Sequence, residues 1–399
     1  MLPEPVFIVA AARTPIGRYG GTLRDVHPAE LGAVAARAAL TRASLGGGDI
    51  DQVVFGHARQ AGSGPNPARQ VGRRAGLPDS APAMTVNKAC ASGLEAIATG
   101  ARAIVLGEAG LVLAGGIESM SRMPYLIDAA DARWGHRMGH FALVDAMYRD
   151  GFLCPLCDMV MGETVERLSR ELGIDRDASD QYALESHQRA AGAIAAGRFA
   201  DEIAAITVAG PKGPMTLSAD EHPRPDTTLA TLGRLSPVFE VDGTPGILTA
   251  GSSSGITDGG AAVVLAGLEA VSSRGLTPIA RILGWSTSGV DPERMGVGPV
   301  PAVRQLLRGL SMQLDDFDLV ELNEAFAPQV LAVLRDLPVA ADRLNVNGGA
   351  IALGHPIGCS GTRIVVTLLH ALRQRNARRG LATLCVSGGM GMAMAVELT

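Results

Sequence analysis

One unit occurs twice in this chain, and it limits the folds open to it. Cys90-Ala91-Ser92-Gly93 opens a small-residue helical pattern over 93–106, then the strand-like Gly110-Leu111-Val112-Leu113-Ala114 and a Gly115-Gly116 pair. Cys359-Ser360-Gly361 opens a second helical pattern over 362–375, then Leu381-Ala382-Thr383-Leu384-Cys385-Val386 and Gly388-Gly389. The match is one of pattern more than of residues, and it reads as a diverged internal duplication with two related halves. In the first half, 6–11 and 52–56 are apolar strand runs and 29–43 is a helical pattern. Alternating β and α elements predict an α/β chain with a mostly parallel, helix-covered sheet.

At 399 residues the chain exceeds one simple core, and two or three domains are expected. The stretch 121–250 differs from its flanks. It carries charge clusters, helical patterns over 162–172 and 177–197, and connections such as Gly210-Pro211-Lys212-Gly213-Pro214. That suits a loop-and-helix insertion into the first half. The predicted division is a sheet half over 1–120 completed by 251–277, an inserted loop domain over 121–250, and a second sheet half over 278–399. Fifty glycines with only 4% aromatics imply a core built on close backbone approach.

The net charge of −5 supplies no general attraction for nucleic acid, so an anionic ligand needs a local cationic patch. The first residues lack a basic leader, and no uninterrupted apolar run reaches the roughly 18 residues of a membrane span. Five cysteines, an odd count, read as reduced thiols in a cytoplasmic protein.

Cys90 lies between an extended stretch, Ala83-Met84-Thr85-Val86, and the first helical pattern. The free N–H groups and positive dipole end of a helix favour a thiolate there, which would make Cys90 a nucleophile. A small buried hydrophobe is the competing reading. His355, locked between Gly354 and Pro356 in the glycine-dense segment 345–358, suits a catalytic role. Cys385, at a strand end before Ser387-Gly388-Gly389, reads by itself as core. Asn323 and Glu324 interrupt an apolar run, and Asn323 reads equally as a helix N-cap. Cys154-Pro155-Leu156-Cys157 has no second ligand pair for zinc and no thioredoxin-like context. Gly389-Met390-Gly391 leads into another strand-like run, which excludes a dinucleotide loop.

Taken together, these segments resemble the thiolase family over essentially the whole chain. The matching stretches are Ala89-Cys90-Ala91-Ser92-Gly93, Gly115-Gly116-Ile117-Glu118-Ser119-Met120-Ser121, Asn323-Glu324-Ala325-Phe326-Ala327, the segment 345–358, and Cys385 with its glycine tail. The resemblance implies a layered αβαβα fold from two duplicated halves, with a loop domain in the first that covers coenzyme A and substrate. It implies reversible condensation of acetyl-CoA with an acyl-CoA to 3-ketoacyl-CoA and CoA. Cys90 would carry the acyl group, His355 would accept its proton, and Cys385 would act as acid and base. One oxyanion hole would use His355 and a water on Asn323; the other, the backbone N–H groups of Cys90 and Ser387, the latter a Gly in many relatives. Ser254, in Thr249-Ala250-Gly251-Ser252-Ser253-Ser254-Gly255, would meet pantetheine. Arg224 would lie near the nucleotide unless a surface ion pair claims it. Thr231, Met295 and Phe326 would complete the ligand contacts.

The resemblance further implies coenzyme A thioesters as substrates with no tightly bound cofactor and no metal, and a homodimer or homotetramer. Val160 departs from the pattern, standing where acetoacetyl-CoA enzymes often have His, which suits longer acyl chains. A decarboxylating ketoacyl synthase would want a second histidine, and a non-catalytic acyl-CoA or lipid carrier would lack one of the four catalytic residues.

Overall fold

Apolar β-prone runs bury themselves as strands, and the small-residue runs between them coil into helices. The computed structural model describes residues 2–210 and 213–399. The elements that build the site are β1 (Val6–Arg13), α1 (Pro28–Arg42), β2 (Gln52–His57), α2 (Pro67–Arg74), β3 (Ala83–Val86), α3 (Ser92–Val105) and β4 (Leu111–Ser119). Helices α4 (Met161–Leu172) and α5 (Arg176–Ala195) follow, then β5 (Thr257–Gly267) and β6 (Ala280–Gly289). The chain ends with α6 (Pro299–Leu310), β7 (Leu319–Leu322), α7 (Ala327–Asp336), α8 (Ile357–Gln374), β8 (Arg379–Val386) and β9 (Met390–Leu398).

The strands form one sheet in the order β7-β8-β9-β6-β1-β5-β4-β2-β3. The duplication is visible in its pairing. In the first half β1–β5 and β5–β4 are antiparallel, and β4–β2 and β2–β3 are parallel. In the second half β6–β9 and β9–β8 are antiparallel, and β8–β7 is parallel. A lone parallel bridge, Val320 to Leu344, stands where β3 stands in the first half. The expectation of a mostly parallel sheet is therefore corrected to a mixed one. Only Ser387, Gly388 and Gly389 separate β8 from β9, with the glycines at φ 83° and 79°, and so short a link permits only an antiparallel return.

The five layers share three apolar cores, two outer ones and a central one that surrounds the middle helices. Helices α1 and α2 pack on the outer face of the first half. Helices α3 and α8 lie between the two halves. Helices α6 and α7 cover the outer face of the second half. The central pair touches at backbone distance: a Cβ on Gly361 would stand 2.4 Å from Leu94 N, and one on Gly93 2.7 Å from Thr362 N. Here the glycine-rich composition has its structural use.

Helix α8 begins at Ile357, five residues before the predicted Thr362. Cys359 is thus inside its first turn, buried, and His355 precedes α8 much as Cys90 precedes α3. Within 121–250 the described strands pair only among themselves in two-stranded hairpins. Arg13 of β1 anchors this region, bonding Glu202 Oε1 at 2.6 Å and both oxygens of Asp220 at 2.6 and 2.9 Å. Pro211 and Lys212 of the expected connection lie outside the described residues.

Candidate active site

A cavity of about 850 Å³ opens where the first turns of α3 and α8 meet the end of β8. Cys90, His355, Cys385 and Ser387 all line it, as do Arg224, Ser254, Met295 and Phe326. Sequence positions nearly 300 apart converge because the two halves are mirrored across the central helices.

Cys90 sits in the short turn Ala89–Ala91 that leads into α3. Ala89 has φ 43°, an uncommon left-handed conformation for a residue with a side chain. The turn is clamped: Asn87 Oδ1 accepts from Ala89 N at 2.9 Å, and Ser92 Oγ donates to Ala89 O at 2.7 Å. The backbone N–H groups of Ser387 and of Cys90 itself favour a thiolate there. Burial nevertheless pushes this thiol up, outweighing the Arg59 charge and both N–H groups. The helix end alone therefore does not produce a resting thiolate.

His355 lines the same cavity. Burial, and then the charges of Arg363 and Arg59, lower it to about 3, so the ring is neutral near pH 7. Its Nδ1 is 2.5 Å from Ser360 Oγ, which also lies 3.0 Å from Pro356 O. With the hydroxyl proton on Pro356 O, Ser360 accepts from Nδ1–H, and that tautomer puts the lone pair on Nε2. That nitrogen has no protein partner. Two anchors hold the ring's backbone: His355 N donates to Gly255 O at 2.9 Å, and Gly354 has φ 102° with Thr257 where a Cβ would be.

Cys385 is 1% exposed, and burial, then the proximity of Cys90, raise its thiol. It therefore holds a proton at neutral pH. Val165, Leu248, Met295 and Ala325 pack around it, with Phe326 at the edge. Cys359 is a different case: it is absent from the cavity wall, and burial pushes it up to about 12.

Asn323 is not a helix N-cap, since α7 starts at Ala327 and Phe326 precedes it. Its side chain is 1% exposed with neither amide atom bonded to protein, and unlike Ala325 and Phe326 it is not among the residues that line the cavity. Glu324 is structural. It accepts from Tyr182 Oη at 2.9 Å, Ser186 Oγ at 2.6 Å, Asn345 Nδ2 at 3.0 Å and Ile351 N at 3.1 Å.

At the mouth stand Arg18, Tyr19, His222 and the exposed Arg224. No carboxylate among the described residues lies within 4.0 Å of Arg224, so the ion-pair alternative falls away. Thr231 is not brought to the cavity. It is exposed, and its hydroxyl bonds Thr228 at the start of the short helix Leu229–Leu232. Val160 lines the wall from the hairpin of Leu153–Cys154 with Met159–Val160.

Sequence reading missed Ser360, Glu118 and Arg59. Glu118 ties the end of β4 to the first turn of α8, accepting from Gly358 N at 2.9 Å and Arg59 N at 3.3 Å. A charged residue just past a buried strand, as in Gly56-His57-Ala58-Arg59, was the available signal, because α/β sites gather at such ends.

The family profile described as thiolase, N-terminal domain, matches residues 6–269, and that described as thiolase, C-terminal domain, matches 276–398. The chain belongs to the thiolase family. It is 48% identical to an acetyl-CoA acetyltransferase of Pseudomonas aeruginosa, with 98% of each chain covered. It is 49% identical to a beta-ketoadipyl-CoA thiolase of the same species, covering 99% of this chain and 100% of the relative. The crystal structure of human mitochondrial 3-ketoacyl-CoA thiolase in complex with CoA superposes with a TM-score of 0.95 at 43% identity, over 100% of this chain and 99% of that one. This thiolase is accordingly an acyltransferase with thiolase activity, in a family that works on coenzyme A thioesters. No helix among its described residues is long and apolar enough to cross a membrane.

Proposed function

We propose that the protein interconverts acetyl-CoA plus acyl-CoA with 3-ketoacyl-CoA plus CoA through an acyl group carried on Cys90. In thiolysis the Cys90 sulfur attacks the 3-keto carbon while His355 Nε2 takes the thiol proton. The bond between C2 and C3 breaks, its electron pair goes to the departing acetyl-CoA enolate, and Cys385 supplies the proton. CoA then gives its thiol proton to the Cys385 thiolate and removes the acyl group as a new thioester, while His355 returns its proton to Cys90. Asn323, through a water, and His355 serve one developing oxyanion; the N–H groups of Cys90 and Ser387 serve the other. Ser254 meets pantetheine, Arg224 the phosphates, and the segment 121–250 acts as the cover. Condensation is the same path reversed, and supply of substrates sets its direction.

The observation that carries this reading is the meeting of Cys90, a neutral His355 with a free Nε2, and a protonated Cys385 on one wall. The five free cysteines suit a reducing cytoplasm, and β3, an edge strand, suits pairing with a second copy. The test is iodoacetamide labelling followed by peptide mapping. Cys90 should react and acetyl-CoA should protect it, while Cys90→Ala should abolish thiolysis of acetoacetyl-CoA. Retained thiolysis in that variant would sink the mechanism.

A further inference from the structure

The mechanism leaves one buried cation in the cavity without a task. Arg59 lines the same cavity as Cys90 and is only 7% exposed. Its Nη2 donates to Gly151 O, and its Nε has no partner. Among the described residues no carboxylate comes within 4.0 Å of the guanidinium. The nearby carboxylate, Glu118, accepts from two backbone N–H groups, those of Arg59 and Gly358. A guanidinium withdrawn from water with its charge unanswered is costly unless an anion joins it.

Coenzyme A's phosphates are not that anion. In the reading proposed above their cationic surroundings are the exposed Arg18 and Arg224, whereas the buried Arg59 is near Cys90. Around Cys90 the cavity wall includes the apolar Phe152, Ile256 and Ile357, which belong to one cluster with the buried Ala58, Met120 and Met147. This is a lining for an acyl chain, with one unsatisfied cation in its wall.

We propose that Arg59 is a specificity residue that binds a carboxylate at the far end of the acyl chain, so that 3-ketoacyl-CoAs ending in a carboxylate are the preferred substrates. The inference rests on the acyl-cysteine reading above. A planar fork with free N–H donors matches a carboxylate and discriminates against an uncharged end that leaves it unpaired. The bound carboxylate would also offset the Arg59 charge, which in the free enzyme disfavours protonated His355. The preference should therefore appear in kcat as well as in KM.

The test compares thiolysis of 3-ketoadipyl-CoA with 3-ketohexanoyl-CoA, and matched pairs up to eight carbons, in the full-length enzyme. At one length or more, kcat/KM for the carboxylated ester should exceed that of its partner by at least about tenfold. Arg59→Leu should collapse that ratio to near one, and Arg59→Lys should retain part of it. Equal rates, or faster neutral esters at every length, overturn the proposal. So does Arg59→Leu lowering both esters by one factor with the ratio intact, which would assign Arg59 to the reacting centre. Should Arg59→Leu not fold, the wild-type ratio decides alone. Absence of acetoacetyl-CoA thiolysis together with an unlabelled Cys90 would instead remove the mechanism beneath it.

Discussion

The base role proposed for His355 needs its lone pair on Nε2, and Ser360 is the residue placed to hold that tautomer. With its proton on Pro356 O, Ser360 accepts from Nδ1–H. Ser360→Ala should lower kcat by about tenfold to a hundredfold, as loss of a ring-orienting partner does elsewhere. KM should hold, and the pH profile of kcat should change, which a purely structural role would leave alone. Burial of neutral histidines also sets the acid limit of the fold. His355 is lowered to about 3 and His187 to about 4, both chiefly by burial. Below pH 6.5 the unfolded chain takes up protons that the folded chain refuses, so stability is present above 6.5 and lost as pH falls toward 4. Each ring should cost on the order of 1–2 kcal/mol by pH 5. The urea midpoint should drop between pH 7 and pH 5, by less in His187→Gln.

Among the elements, the crossing of α3 and α8 is the least forgiving. A methyl on Gly361 would stand 2.4 Å from the Leu94 backbone nitrogen, which no side-chain rotation can relieve. Gly361→Ala should destabilise the protein by about 1–3 kcal/mol in urea unfolding. Because the same helix begins beside His355, the thiolysis rate should fall with it. The early start of α8 has a tertiary cause as well. Glu118 of β4 accepts the Gly358 N–H, placing a carboxylate at the positive end of the helix. That partner is distant in sequence, so local pattern began the helix at Thr362 and set Cys359 opposite Cys90.

Across the whole molecule, the inserted region is held to the sheet by buried charge. Glu324 gathers Tyr182 and Ser186 from α5 together with Asn345 and Ile351 from the glycine segment. Arg13 gathers Glu202 and Asp220. Glu324→Ala would leave Tyr182 Oη, Ser186 Oγ and Ile351 N without their acceptor and should cost about 3–5 kcal/mol, read as a lower urea midpoint. Since the glycine segment carries His355, that variant should lose thiolysis at temperatures where the parent still works.

The sequence by itself determined the two-half α/β plan, the strands 6–11, 52–56 and 83–86, and the short set of residues that meet at the cavity. Those signals are local: apolar period, glycine density, and rare residue types in fixed order. Only the tertiary structure decided strand direction, because a three-residue turn and a long insertion reverse chains that alternate like parallel units. It also separated Asn323 from the role of a cap, divided the labour between Cys359 and Cys385 by their distance from the cavity, and set Thr231 apart from it. Ionisation was equally beyond the sequence. Cys90 at a helix end reads as a thiolate until burial is known, and His355 is held neutral by burial and by Arg363 and Arg59, which only the fold brings near it.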